Sequence, residues 1–437
     1  MKIIFRNFHI IDAFTDIIGT VFVDGGRVSA ILPKSEAEHS AILPVFGPEN
    51  EAGYGSENGA IVLDGGGHLV LTSGFIDMHA HFRDPGDAAL SGESSVFDFC
   101  KKETLESASL AAARGGYTSV VCMANTNPAI DSVDTAAALK RRSDALGLIN
   151  LYPAISLSKG MNGKVLSPYL SSGAKGPPAY KPPLISEDGK DVADSDLFAA
   201  ALREAAARDA VVSCHCDLGG EEAAVERAIM LGAGTDARLH IAHVSTKGSV
   251  ELIREHKKNL SLTAEATPHH IALTKRDADK AGANTFGKVA PPLRGETDRL
   301  ALIEALRDGV IDVIATDHAP HAPADKQNGA PGFSGLETAF AVCNTVLVKE
   351  NHFLPQKLFS LLSAAPARIL GLSGRGFIAK GNHADIVILD TESEIIVDSA
   401  AFASRGKNTL FTRRKLSGSV ILTLRGGKIT YHAAVVG

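Results

Sequence analysis

The chain has 437 residues, long for one ordinary domain, so a barrel-sized domain with a smaller companion is expected. With 45% hydrophobic and 22% charged residues it reads as a folded globular protein rather than a disordered one. A net charge of −6 leaves no electrostatic footprint for nucleic acid or an anionic membrane, and no stretch is apolar and long enough to span a bilayer. A small-molecule partner is expected instead.

The N-terminal segment lacks the apolar core of a signal peptide. Five cysteines (Cys100, Cys122, Cys214, Cys216, Cys343), odd in number and set mainly in apolar runs, suggest reduced thiols and a cytoplasmic location. Short β-like runs occupy 3–5, 19–23 and 28–32, with Asp24-Gly25-Gly26 as a hairpin signal between the last two. Residues 35–59 are polar and rich in Gly, Pro and Glu, and read as a surface loop; 61–63 and 68–70 resume the strand pattern.

From residue 71, short apolar runs alternate with Ala-, Leu- and Glu-rich stretches. Eight strands are expected at 74–80, 117–123, 149–155, 182–187, 210–216, 239–244, 260–265 and 311–317. Helices are expected between them at 102–114, 196–208, 221–231, 248–258 and 296–308, and more near 336–371. Eight strand–helix units suggest an α/β fold, a (β/α)8 TIM-like barrel whose catalytic groups lie at the strands' C-terminal ends. The β pattern returns at 384–390 and 419–429. Residues 1–70 plus 376–437 are therefore expected to form a composite β-sandwich domain around a 71–375 barrel.

The strand at 74–80 ends in His79-Ala80-His81. Residues two apart on a strand share a face, so both imidazoles can reach one metal ion. The bland alternative is a hydrogen-bonded pair. His215, His243 and Asp317 end further strands, and Asp188 closes the fourth; singly each could bond a carbonyl or cap a helix, but together they make a ligand set. Four imidazoles and two carboxylates suit two divalent ions, such as Zn2+, sharing a bridge. Such a pair lowers the pKa of a shared water and performs hydrolysis. Cys214 and Cys216 would face away from His215 and pack behind it.

The strings GFIDMHAHFRDPG (74–86), AARGGYT (112–118), MANTNP (123–128), AEATPHH (264–270), PPLR (291–294) and IATDHAPH (314–321) resemble the amidohydrolase superfamily, and within it the bacterial class I dihydroorotases. GLETA (335–339) and GKNT (406–409) extend the likeness. The resemblance implies reversible, binuclear metal-dependent hydrolysis of the cyclic amide of L-dihydroorotate to N-carbamoyl-L-aspartate. By it, His79 and His81 would bind one metal with Asp317, His215 and His243 would bind the second, and Asp188 would bridge. Asp317 would also move the proton. A carboxylated Lys175 or Lys181 is the alternative bridge, because the Pro-rich stretch 173–183 departs from the family pattern.

Arg83 shares the face of His81, where a guanidinium can grip a carboxylate; the bland alternative is an ion pair with Asp84 or Asp87. The resemblance pairs Arg83 with Asn125 as a carboxylate clamp and adds His321 as a substrate contact. His318, His269, His270 and Glu265 are read as supporting residues. Ala290 before PPLR, the order Pro331-Gly332-Phe333, and Ala124 before Asn125 depart from the family pattern and bear on ring recognition. The rivals are a dihydropyrimidinase, hydantoinase or allantoinase, and an inactive scaffold relative, which the complete histidine set opposes. A homodimer and docking to another pyrimidine-pathway enzyme are both compatible with the resemblance.

Overall fold

The computed structural model describes residues 1–37, 54–57, 59–84, 101–171 and 180–433. Strands β1 (Lys2–Ile11), β2 (Asp16–Asp24) and β3 (Arg27–Pro33) form an antiparallel meander whose second turn closes at Asp24 opposite Arg27, as expected. Gly25 and Gly26 there have φ of 56° and 77°, the left-handed values that a tight hairpin requires. β4 (Tyr54–Glu57), β5 (Ala60–Asp64) and β6 (Val70–Ser73) follow. Part of the loop expected over 35–59 is therefore a strand, with β4 pairing antiparallel to β5. A polar sequence reads as loop, but the free edge of β5 offers backbone partners whatever the side chains are. Residues 38–53 lie outside the described residues.

The barrel strands are β7 (Phe75–Ala80), β8 (Tyr117–Cys122), β9 (Asn150–Pro153), β10 (Leu184–Ser186), β11 (Val211–Cys214), β12 (Arg238–Ile241), β13 (Leu262–Ala266) and β14 (Val313–Ile314). They pair in parallel as β7-β8-β9 and β10 to β14. Two bridges close the ring. Ser186 N–H donates to the Ile155 carbonyl (3.1 Å), and His81 N–H to that of His318 (2.8 Å). All eight expected strands are present, six within the expected bounds; β12 begins one residue earlier and β13 ends one residue later than expected. The eighth is shortest because the Asp77 carboxylate, not a neighbouring strand, takes the Thr316 N–H (3.0 Å).

Helices Leu105–Arg114, Val133–Leu146, Ser195–Ala206, Glu221–Gly232, Lys247–His256 and Glu296–Asp308 alternate with these strands. Thr104, Ser132, Asp194 and Thr246 start four of them, each side chain accepting a first-turn N–H, a cap worth about 1 kcal/mol. One apolar cluster joins strand residues such as Val120, Leu151, Val212 and Leu239 to helix residues such as Ala112, Leu139, Leu202 and Ile253. Each fully buried aliphatic side chain contributes about 1.5–3 kcal/mol by leaving water.

Strands β15 (Ile386–Ile396), β16 (Lys415–Arg425) and β17 (Lys428–His432) return to the N-terminal strands. The expected 419–429 run is split by a hairpin at Gly426-Gly427. Among the described residues the sheet has nine strands, ordered β17-β16-β15-β6-β1-β2-β3, with β5 beside β1 and β4 beside β5. Phe5, Phe8, Ile10, Val21, Leu71, Ile386, Ile388, Leu422 and Leu424 build one core from both ends of the chain. The sheet docks at the N-terminal ends of the barrel strands, where Gly74 N–H donates to the Asp385 carbonyl (2.8 Å) and Asn150 Nδ2 to the Asp385 carboxylate (3.2 Å). The strands' C-terminal ends are thereby left for chemistry. Among the described residues no helix is long and apolar enough to cross a membrane.

Candidate metal centre

The six expected ligands meet at the barrel mouth, none more than 8% exposed. His79 Nε2 lies 3.1 Å from Asp188 Oδ1 and 3.6 Å from Asp317 Oδ1; His81 Nε2 lies 3.0 Å from Asp317 Oδ1 and 3.5 Å from Asp188 Oδ2. On the far side His215 Nδ1 is 3.4 Å and His243 Nε2 3.9 Å from Asp188 Oδ1, with the two rings' nitrogens 2.9 Å apart. Asp188 is thus the one residue of the set whose carboxylate faces all four imidazoles. Two groups are spaced to hold an ion: His79 with His81 and Asp317, and His79 with Asp188 and His243. His215 stands beside the second group.

The backbone bends to make this arrangement. Arg83, His243 and Asp317 have φ of 59°, 33° and 45°, left-handed values that cost a non-glycine residue about 1–2 kcal/mol each. Such strain is held by surrounding bonds. Asp77, fully buried two residues before His79, accepts the His79 N–H (3.1 Å), the Thr316 N–H (3.0 Å) and the Thr316 hydroxyl (2.5 Å), tying β7 to the strand that carries Asp317. Burial pushes the Asp77 carboxyl up to about 6, against its hydrogen bonds.

Glu265 was legible only as a neighbour-orienting residue, and the structure gives it more. Its Oε1 lies 2.6 Å from His79 Nδ1 and accepts the His243 N–H (3.1 Å), while Oε2 lies 3.0 Å from His240 Nε2. A carboxylate behind a histidine fixes the tautomer with N–H toward the carboxylate and the lone pair toward the site. The buried His79 Nε2 makes no hydrogen bond among the described residues, and it faces two carboxylates. That contact is repulsive unless a proton or a cation lies between, so the donor set fits a divalent ion. His81 is oriented likewise, its Nδ1 lying 2.9 Å from Asn125 Oδ1. The Asn125 Nδ2 donates to Asp188 Oδ2 (3.1 Å), so this carboxamide spans two expected ligands in addition to its expected place near substrate.

Burial disfavours every charge in the cluster, yet mutual attraction outweighs it for most members. Beside His79 and His81, Asp188 is held well below the carboxylate range; Asp317, bonded to His81, is also lowered. Against burial, Asp188 and Glu265 raise His79 well above its usual value, and Asp188 and Asp217 raise His215 to about 10. Burial, with His215 and His79 nearby, pushes His243 down to about 4. The carboxylates thus favour a proton on His79 and His215, at nitrogens a cation would claim, but not on His243.

Arg83 lies at the edge of this cluster. Its Nε is buried without a hydrogen-bond partner among the described residues; burial lowers its pKa, while Asp317 and Asp188 oppose that shift. Asp84 pairs with Arg142 (2.8 and 3.2 Å), and Asp87 lies outside the described residues. His321 Nε2 donates to the Pro331 carbonyl (2.8 Å), and its buried Nδ1 has no hydrogen-bond partner among the described residues. Burial, with Arg83 and Lys102 nearby, pushes its pKa down to about 3, so the ring is neutral and Nδ1 is an acceptor.

The supporting histidines divide. His318 turns away from Asp317, its Nδ1 accepting the Gly335 N–H (3.1 Å) and its Nε2 lying 3.4 Å from buried Glu103. His270 donates to the Pro291 carbonyl (3.0 Å) beside Ala290, and the His269 ring meets Phe333 edge to face. Lys181 is exposed, 3.8 Å from Asp209, and does not approach the cluster in this structure; Lys175 lies outside the described residues. Cys214 and Cys216 are buried, as expected for packing. The sequence signal for Asp77 was its place two residues before His79 on one strand face.

The sequence pattern of the amidohydrolase family matches residues 70–430. A dihydroorotase of Thermoanaerobacter sp. (strain X514) is 37% identical over 462 residues, covering 99% of this chain and 97% of the relative. A dihydroorotase of Caldanaerobacter subterraneus subsp. tengcongensis is 40% identical over 403 residues, 85% of this chain and 88% of the relative. Among solved structures, an L-hydantoinase (dihydropyrimidinase) from Arthrobacter aurescens superposes with a TM-score of 0.78 at 21% identity, covering 98% of this chain and 95% of that one. That likeness carries the fold, a barrel with a β-sandwich. By its sequence over most of its length, this chain belongs to the amidohydrolase family.

Proposed function

We propose that this protein is a dihydroorotase, interconverting L-dihydroorotate and N-carbamoyl-L-aspartate in pyrimidine synthesis. The observation that carries the reading is the buried cluster of four histidines and two aspartates with Arg83 at its edge, its Nε without a hydrogen bond among the described residues, on a chain whose curated relatives bear that name. His79, His81 and Asp317 would hold one cation, His215 and His243 a second, with Asp188 between them, and we assign both as zinc. When bound, such ions lower the pKa of water and polarise a carbonyl.

The chain's own groups do the rest. Asp317 takes a proton from the attacking water and returns it to the ring nitrogen as the C–N bond breaks. Arg83 grips the substrate carboxylate, so binding energy from a non-reacting group fixes the geometry of attack. Asn125, whose Nδ2 meets Asp188 in this structure, would share the substrate carboxylate through a side-chain N–H. His321 Nδ1, an acceptor, suits a ring N–H. The proposed division into 1–70 plus 376–437 and 71–375 is supported by the sheet shared between the two ends of the chain, except that β6 (Val70–Ser73) pairs within that sheet and moves the first boundary to residue 73. The buried free thiols Cys122, Cys214, Cys216 and Cys343 support a cytoplasmic setting.

The second reading is another cyclic-amide hydrolase, favoured by Ala290 and by fold neighbours named as hydantoinases. Steady-state hydrolysis of L-dihydroorotate, dihydrouracil and allantoin by zinc-replete protein separates the two. The proposal expects kcat/KM for dihydroorotate at least about a hundredfold above the others, about 2.7 kcal/mol in transition-state binding. A win for either uncharged ring selects the second reading.

A further inference from the structure

The connection between β15 and β16 does not stay with the terminal sheet. At 404–408 it enters the barrel mouth, where the Ser404 hydroxyl and Arg405 N–H donate to Glu103 (2.5 and 3.2 Å) and the Gly406 carbonyl accepts the Ser334 hydroxyl (2.7 Å). Gly406 packs so closely that a Cβ there would lie 2.6 Å from the Pro320 Cβ and 2.8 Å from the His321 nitrogen. Asn408, buried behind it, is held at both ends of its carboxamide. Oδ1 accepts the His321 N–H (2.9 Å) and lies 3.2 Å from Ser334 Oγ, whose one proton goes to Gly406; Nδ2 donates to the carbonyls of Ala319 (3.1 Å) and Gly332 (2.9 Å). Only this orientation sets the acceptor against the N–H and the donors against carbonyls.

These contacts bracket His321. One end of the carboxamide holds its backbone; the other holds Gly332, neighbour of the Pro331 carbonyl that accepts its ring N–H. Lys326, buried beneath the same loop, donates to the carbonyls of Lys288, Ala330 and Gly332 (2.8, 2.8 and 3.1 Å), so the loop has little freedom to turn that carbonyl elsewhere. We infer that Asn408 is a positioning residue for His321, fixing both its backbone and its ring tautomer so that Nδ1 meets the substrate as an acceptor. The inference rests on the proposed role of His321 as a substrate contact. It gives the GKNT stretch a function in the mouth of a barrel from which it is distant in sequence.

A double-mutant cycle on metal-loaded, full-length enzyme tests this. His321→Ala is expected to lower kcat/KM for dihydroorotate about 100-fold and Asn408→Ala about 10- to 100-fold, with metal content unchanged. The double variant should be no worse than His321→Ala alone, because Asn408 acts only through that ring. A purely structural loss would multiply with the His321 loss. Full activity in Asn408→Ala, or multiplied losses in the double variant, overturns the inference while His321 keeps its role. Full activity in His321→Ala overturns the role and the inference with it. If Asn408→Ala does not fold, Asn408→Asp takes its place in the cycle, and the same outcomes support or overturn the inference. That variant keeps an acceptor for the His321 N–H but sets an oxygen against two carbonyls.

Discussion

The metal cluster and the loops that rim it are built in different ways. His79, His81, His215, His243 and Asp317 stand at the ends of short strands; Asp77 and Glu265 on neighbouring strands hold His79, His243 and the Thr316 that precedes Asp317, and Asn125 meets His81. Arg83, His321 and Pro331 sit on connecting segments, and that of His321 and Pro331 is held mainly by side chain to backbone bonds from Asn408 and Lys326. The difference teaches a division of labour. A rigid strand-end cluster supplies chemistry that any cyclic amide could use, while the rim chooses the ring, and the two should fail separately when altered.

Removing the cluster should cost most. Asp317→Asn is expected to reduce kcat at least about a thousandfold for every ring, measured in steady state beside an unchanged melting curve. Second in size is the rim: Arg83→Met should lower kcat/KM for dihydroorotate about a hundredfold with normal metal content. Next comes Glu265→Gln, which should weaken metal binding about 10- to 100-fold in competition with a chromophoric chelator, because His79 loses the carboxylate that fixes its tautomer. The same titration has a pH sign. Without cations His215 is protonated up to about pH 10 and must lose that proton to bind one, so affinity should rise with pH, by up to about tenfold per unit for each proton displaced. The smallest effect belongs to Lys181→Ala, which should leave activity and metal content within about twofold, since that lysine faces Asp209.

The strand-end cluster was legible because its signal is local: an apolar run, then a ligand-type side chain, with period-two alternation deciding which residues share a face. The barrel was legible for the same reason. The supports were not, because each is made by a contact between distant segments. Glu265 becomes important only when β13 is set beside β12 and its side chain reaches His79 on β7. Asn408 lies 87 residues from the His321 backbone it holds, and nothing in GKNT announces a partner. The strand at 54–57 was missed because backbone pairing at a sheet edge does not need apolar side chains.

The most direct test of separability is to measure metal content and kcat/KM for dihydroorotate and dihydrouracil in the wild type and in Arg83→Met. The account predicts an unchanged metal content, a fall of about a hundredfold for dihydroorotate, and a change of less than about threefold for dihydrouracil, which has no carboxylate to lose. Equal losses for both rings, or loss of metal, would contradict it, because Arg83 would then belong to the cluster's chemistry rather than to the choice of substrate.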